Sequence, residues 1–392
     1  MKRLWRSIVR GLSGRKRRRR VAQETVHEEL GDDYYLASQW QLMWRKFRKH
    51  RLAKVSLVVL GILYFIGLFS EFFAVQGLRD YDSRYTYVRP MPVRFVHPER
   101  GFSPFQPFVY GLEQVRDPET LRRTYVEDTS VTYRVRLFTR GQPYKLWGLI
   151  PGDIHFYGAD GEGEVFLLGT DSLGRDMVSR LVHGARISLS IGLVGVMISL
   201  FVGTIMGAIS GYFGGIVDTL IQRLVEVLRS FPEIPLWMAL SAALPANMPL
   251  IQTYLLITII LSFIGWTGLA RVVRGKFISM REDDYIMAAQ VTGATDARII
   301  RRHMVPGFIS YLLVEITLSI PRMILAETSL SFLGLGLRSP VTSWGVLLQE
   351  AQSVRTVSLY PWLLIPVIPV IITVLAFNFV GDGLRDAADP YA

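Results

Sequence analysis

Hydrophobic runs long enough to cross a bilayer alternate along this chain with polar stretches, and their spacing divides it. A crossing helix needs roughly 20 mostly apolar residues. Leu52 to Val75, with Glu71 near its end, is the first such run. Ile187 to Ser210, Leu250 to Ala270, Phe308 to Leu330 and Leu359 to Val380 follow, the last punctuated by Pro361, Pro366 and Pro369. One further span is concealed. Ile234 to Ala270 carries no charge, but Pro245 to Pro249 interrupts it and leaves too few apolar residues ahead of the break. The third of six spans must therefore begin near Ile216 and include charged residues.

From Gln76 to Arg186 no run approaches span length. Val131, Tyr133, Val135 and Leu137 alternate with Thr132, Arg134 and Arg136, the period of a half-buried strand. Gly141 and Pro143 predict a turn ahead of Tyr144 to Ile150, and so a hairpin. Prolines and aromatics between Tyr81 and Tyr110 point to extended structure. The expected fold is an all-α polytopic membrane protein with six transmembrane helices and a small β-containing extracytoplasmic domain over residues 76–186.

Some polar positions lie inside the spans. Asp218, Gln222, Glu226, Arg229 and Glu233 recur every three or four residues and form one helical stripe. Such a stripe faces either a wet path or ion-pairing neighbours. Glu315 and Arg322, seven apart in the fifth span, share a face and are expected to form a buried pair. Gly192, Gly195, Gly203 and Gly207 in the second span permit close helix packing.

Composition agrees with the hydropathy. Half of the 392 residues are hydrophobic and the formal charge is +11, which places the chain with membrane proteins. It has no cysteine, so disulfides, thiolate metal sites and cysteine nucleophiles are excluded. Arg15 to Arg20 and the group Arg45, Lys46, Arg48, Lys49 and Arg51 make residues 1–51 a basic tail. A span follows directly, so the charges are read as a cytoplasmic topology signal in contact with anionic lipid, with no nucleic-acid role. Trp40, Trp44 and Phe47 interleave with the second cluster as in an interfacial helix. Six spans then place both termini in the cytoplasm.

One polar stretch has its own helical grammar: Asp283 to Pro306, between the fourth and fifth spans. Asp283 and Asp284 can cap a helix that Gly293 ends, and Thr295 can cap a second one closing on Arg301, Arg302 and His303. Two short helices about a glycine corner make a rigid cytoplasmic knob. Asp171 and Asp176 could be read as a hydrolase pair, but without histidine or another acidic partner a salt-bridged turn leading into an interfacial helix at Met177 to Arg186 is the better account.

The knob also carries a resemblance. Met287-Ala288-Ala289, then Gly293, then His303-Met304-Val305-Pro306 resembles the EAA loop of ABC-importer permeases, with Met287 where that pattern has Glu, and His303 and Val305 where it has Ile and Leu. GTDSLGRD (Gly169 to Asp176), ILAETSLSFLGLG (Ile324 to Gly336), the following SPVTSWG, and QWQLMWRKFRKHRLAKVSLVVLGIL resemble the dipeptide/oligopeptide (peptide/nickel) C-subunit permeases, as does NFVGDGLRDAADP near the end. The match covers about Gln39 to Val75 and Phe166 onward.

The resemblance implies a multi-pass subunit of the bacterial inner membrane: a first transmembrane helix at 52–75, a permease core at 187–392 and a coupling loop at 271–306. Coupling would run through Ala288, Ala289, Gly293, Arg298, His303 and Pro306, and the substrate path would involve Glu226, Arg229, Glu315 and Arg322. No catalytic residue, metal or cofactor is implied in this chain. It lacks a phosphate-binding loop of the G-x-x-x-x-G-K-[ST] type, so ATP would be bound by partner ATPase subunits. A second homologous permease and an extracytoplasmic solute-binding protein would complete the importer. The competing class is an ion-coupled secondary transporter or channel, which needs an ionisable constellation at the bilayer midplane.

Overall fold

The computed structural model describes residues 39–97, 101–102, 106–116, 118–119, 122–161, 163–245 and 248–388. The basic run Arg15 to Arg20, with the rest of residues 1–38, lies outside the described residues. The described residues open with α1 (Gln39–Phe47), whose Met43 and Phe47 are buried while Trp40 and Trp44 are exposed. The helices α2 (Arg51–Leu68) and α3 (Ser70–Phe73) follow. His50 Nδ1 accepts a hydrogen bond from Ala53 N–H at 3.0 Å and so caps α2.

The inserted region contains β1 (Val96–His97), β2 (Gly101–Phe102), β3 (Phe108–Arg116), β4 (Arg123–Leu146) and β5 (Ile150–Ala159). The last three form an antiparallel sheet in the order β3-β4-β5. The turn expected at Gly141 and Pro143 is not there. β4 runs through that segment with a bulge between Arg140 and Tyr144, and reverses at Trp147 and Gly148, at φ 52° and 74°. A bulge takes up residues that do not fit the ladder without ending the strand.

The remainder is helical: α4 (Met177–Phe213), α5 (Gly215–Ser230), α6 (Glu233–Ala242), α7 (Leu250–Met280), α8 (Asp284–Val291), α9 (Asp296–Ile299), α10 (Ile309–Phe332), α11 (Trp344–Gln349), α12 (Val354–Leu359) and α13 (Val367–Ala388). Among the described residues, five helical stretches are long and apolar enough to cross a membrane: 51–68, 177–213, 250–280, 296–332 and 361–388. The single charged span expected from Ile216 is instead two helices, α5 and α6, broken at Phe231 and Pro232. Proline fixes φ and disfavours helical geometry in the residue before it, so Phe231 is extended. The interfacial helix expected at Met177 to Arg186 is not separate either. It is the start of α4, whose 37 residues reach about 55 Å.

Close packing of α4 on α7 organises the bundle. Gly203, Gly207 and Gly211 share one face of α4, and a Cβ on Gly207 would stand 2.5 Å from the Ala270 carbonyl oxygen. With no hydrophobic driving force inside a bilayer, such small-residue seams let two backbones approach. The loop after α10 folds back, and Trp344, Leu347 and Val346 of α11 are buried against α4 and α10.

Candidate functional site

α8 and α9 form a projection at one end of the bundle. Asp283 and Thr295 occupy the two cap positions in extended geometry, although neither side chain makes a capping hydrogen bond. The corner between them is closed by the backbone: Gly293 N–H donates to Gln290 O and Ala294 N–H to Ala289 O, each at 3.0 Å. That pair of bonds is a Schellman motif, and Gly293 holds the left-handed φ of +80° that it requires. Beneath the corner, Ile286, Ile299 and Met304 are fully buried in a cluster with Phe277, Met280 and Phe308. Each such side chain contributes roughly 1.5–3 kcal/mol on burial. Tyr212 Oη, near the end of α4, donates to the Asp296 carboxylate at 2.7 Å. The knob is thereby clamped to α4, α7 and α10.

Of the residues expected to couple, Ala288, Gly293, Arg298 and Pro306 are exposed, whereas Ala289 and His303 are half-buried. Ala289 packs against the clamping cluster. Pro306 does not start the next span on its own. A π-helical turn, Ile300–Met304, and a 3-10 turn, Val305–Phe308, carry the chain from α9 straight into α10. Met287, named only as a departure from the motif, and Val291, not named at all, flank Ala288 on the free face; Val291 is 89% exposed. Their signal was two large apolar side chains at i and i+4 on a helix whose core side is marked by Ile286.

A cavity of about 240 Å³ opens between α4, α5, α6, α7 and α10. It brings together Arg229, Glu315 and Arg322, and adds Glu233 and Trp237. Glu315 accepts a hydrogen bond from Ser319 Oγ at 3.0 Å and faces Arg322 Nη1 at 3.9 Å. The pair expected to be buried is open: the Arg322 side chain is 72% exposed. A charge so exposed on an apolar helix marks a wet path or a protein partner.

The polar stripe divides between two environments. Asp218 receives Arg274 through Nε at 2.5 Å and Nη2 at 2.6 Å, a bidentate pair between α5 and α7. Glu226 lies with that pair in a groove apart from the cavity of Arg229 and Glu233, and it pairs with Arg223 at 2.8 Å, with both side chains more than half exposed. Such exposed pairs contribute about 0–1 kcal/mol. Glu226→Gln is therefore expected to leave complex stability and solute uptake close to those of the unaltered protein. Loss of uptake in an intact complex would put Glu226 in the path.

Comparison with known proteins bears on both features. Residues 203–391 match the family described as binding-protein-dependent transport system inner membrane component, and residues 38–90 match the N-terminal TM domain of oligopeptide transport permease C. The oligopeptide transport system permease protein OppC of Salmonella typhimurium is 45% identical over 223 residues, covering 57% of this chain and 71% of that one. The chain belongs to the oligopeptide/dipeptide C-subunit permease family. It is a transmembrane permease subunit of an ABC importer, and the ion-coupled alternative is set aside. The dipeptide transport system permease protein DppC of Bacillus subtilis is 38% identical over 222 residues, covering 57% of this chain and 68% of that one. Among solved structures, an inward-facing conformation of the MetNI methionine ABC transporter matches with 18% identity and a TM-score of 0.43, over 54% of this chain and 97% of that one.

The permease's remaining motifs are architectural. Asp171 is fully buried and accepts hydrogen bonds from the Leu173 and Arg175 amides at 2.8 and 3.0 Å and from Arg175 Nε at 2.6 Å. Arg180 also donates to it, and reaches Glu350 at 2.8 Å. Asp176 caps α4, accepting from both Ser179 N–H and Oγ at 2.7 Å, and burial pushes its carboxyl up to about 6. Neither carboxylate is poised for hydrolysis. Glu327 of ILAETSLSFLGLG is fully buried too, accepting from Ser331 Oγ at 2.8 Å and Ser188 Oγ at 3.3 Å. Ser188 Oγ in turn accepts the Trp344 amide at 3.1 Å, which ties the folded-back loop to α4.

Proposed function

We propose that this permease forms half of the pathway of an ATP-driven importer for peptides or another small solute, delivered by an extracytoplasmic binding protein. ATP is hydrolysed by separate subunits that dock on the knob formed by α8 and α9. A second, homologous permease faces the cavity of Arg229, Glu315 and Arg322, and closes the pathway around it. The observation that carries this reading is the knob: a clamped element with an exposed face of Met287, Ala288 and Val291, continuous with the helix that bears Glu315 and Arg322. Rocking of one half of the bundle against the other would then alternate access. The broken pair α5 and α6 supplies the sixth crossing, placing the sheet outside the cell and the knob and both termini in the cytoplasm.

A photo-crosslinker at Val291 should capture an ATPase subunit in membranes containing the whole importer, and one at Tyr110 should not. Capture at neither site, or equally at both, would remove the docking assignment. Orientation has its own test. Gln142→Cys should react with an impermeant thiol reagent from outside the cell and Thr295→Cys should not, against a background without native cysteine. Reaction at Thr295→Cys alone would invert the proposed topology.

A further inference from the structure

We infer that the tip of the β4–β5 hairpin is a membrane anchor, inserting its apolar side chains into the lipid leaflet beside the end of α2. The 18 residues of α2 span about 27 Å, close to the ~30 Å of a hydrocarbon core, which puts Leu68 at one edge of it. One side of α2 is buried through Ala53, Ser56, Leu60 and Gly67, whereas Leu52, Val55, Val58, Ile62 and Phe65 form an exposed apolar stripe that faces lipid. That stripe does not stop at the helix end. The ring of Phe65 lies 4.8 Å from that of Phe69, which lies 5.6 Å from that of Trp147 at the hairpin tip.

The tip is fixed at this depth by hydrogen bonds. A helix leaves its last carbonyls without partners inside the helix, and the Leu68 carbonyl accepts from Trp147 Nε1 at 2.7 Å and from Arg186 Nη2 at 2.8 Å. Further along the hairpin, the two ring nitrogens of His155 lie 2.5 Å from the Ala74 carbonyl oxygen and 2.9 Å from that of Gln142, holding the hairpin against the chain just after α3. A hairpin turn in water favours Asn-Gly or Asp-Gly; this one is Trp147-Gly148-Leu149. Leu149 is 79% exposed and Ile150 54% exposed, and Phe138 stands out beside Phe72 and Phe156. Lys145, just before the turn, is exposed, and an anchored tip would bring its ammonium to the lipid phosphates.

Lipid fits this surface better than a second permease does. The ionisable cavity opens between α4, α5, α6, α7 and α10, and neither α2 nor the hairpin lines it. The hairpin instead extends the side of α2 that already faces lipid.

The test uses the full chain in nanodiscs of phosphatidylethanolamine and phosphatidylglycerol, alone and assembled with its partner subunits. An environment-sensitive fluorophore is placed on Leu149→Cys, with Ile150→Cys as a second tip position and Arg116→Cys, at the far end of β3, as the control. Tip labels should emit to the blue of the control and be quenched by lipids with a nitroxide high on the acyl chain. Iodide in the water should quench them several-fold less than the control. Iodide quenching at both tip positions equal to that at Arg116→Cys would overturn the proposal. Protection from iodide without nitroxide quenching, appearing only in the assembled complex, would also overturn it and assign the tip to a protein contact.

Discussion

Gly293→Val should strip the ATPase subunits from the permease, or leave them bound with hydrolysis uncoupled from uptake. The cause is backbone conformation, since a Cβ at this position would meet nothing within 4 Å. At φ +80° a β-branched residue is strained, and positions of this kind cost about 1–3 kcal/mol each. The Schellman bonds from Gly293 and Ala294 hold α8 against α9, so relief of the strain turns α8 and swings Met287, Ala288 and Val291 out of register with a docked partner. The spans are untouched, and the permease should insert and meet its companion as before. Gly293→Asn separates conformation from bulk, because asparagine tolerates the left-handed region. It should retain most of the subunit content and uptake that the valine variant loses. Gly293→Val complexes with full subunit content and full ATP-driven uptake would show that this corner plays no part in docking.

Asp171→Ala should be the most damaging single change outside the membrane. It leaves Arg175 and Arg180, both nearly fully buried, with Glu350 as their remaining carboxylate, and orphans two backbone amides. Removing one partner from a buried ionic cluster costs about 3–5 kcal/mol. The variant should therefore accumulate poorly and melt well below the unaltered permease in detergent. Asp176→Asn should behave differently, since asparagine caps helices as well as aspartate does. Burial raises the Asp176 carboxyl from 3.8 to about 6, so the folded form binds the proton more tightly than the unfolded chain. The stability tied to that proton is present below about pH 4 and lost as pH rises through about 6. Asp176→Asn should flatten that part of the profile. A hydrolase would lose activity with either change, which makes the contrast between the two informative.

Local signals in the sequence were reliable where one element decided the outcome. The alternation from Val131 to Leu137 is a strand in the structure, and Gly293 adopts a positive φ at a helix end. The misses involved competition between local rules and tertiary context. Gly141 and Pro143 have turn chemistry, but the ladder absorbs them in a bulge, and the reversal falls to Trp147, a residue with no turn preference of its own. The stripe from Asp218 to Glu233 kept a helical period that hid the break at Phe231 and Pro232. The meeting of Arg229 with Glu315 and Arg322, and of Glu327 with Ser188, joins segments far apart in the chain, beyond what spacing along one helix can reveal. Ala289 matches the pattern and His303 stands in place of its Ile, but a pattern does not say which of its positions turn inward.

The loop-free path from Asp296 to Phe332 has a mechanical consequence. The π turn at Ile300–Met304 and the 3-10 turn at Val305–Phe308 join α9 to α10 without a loop, and Phe308, at φ −130°, sets a bend between them. If the ATPase subunits dock on α8 and α9 as proposed, their motion would reach Glu315, Arg322 and the buried Glu327, with its hold on the folded-back loop, along a path of about 55 Å. The bend at Phe308 is the point on that path where the two ends can change their angle to one another.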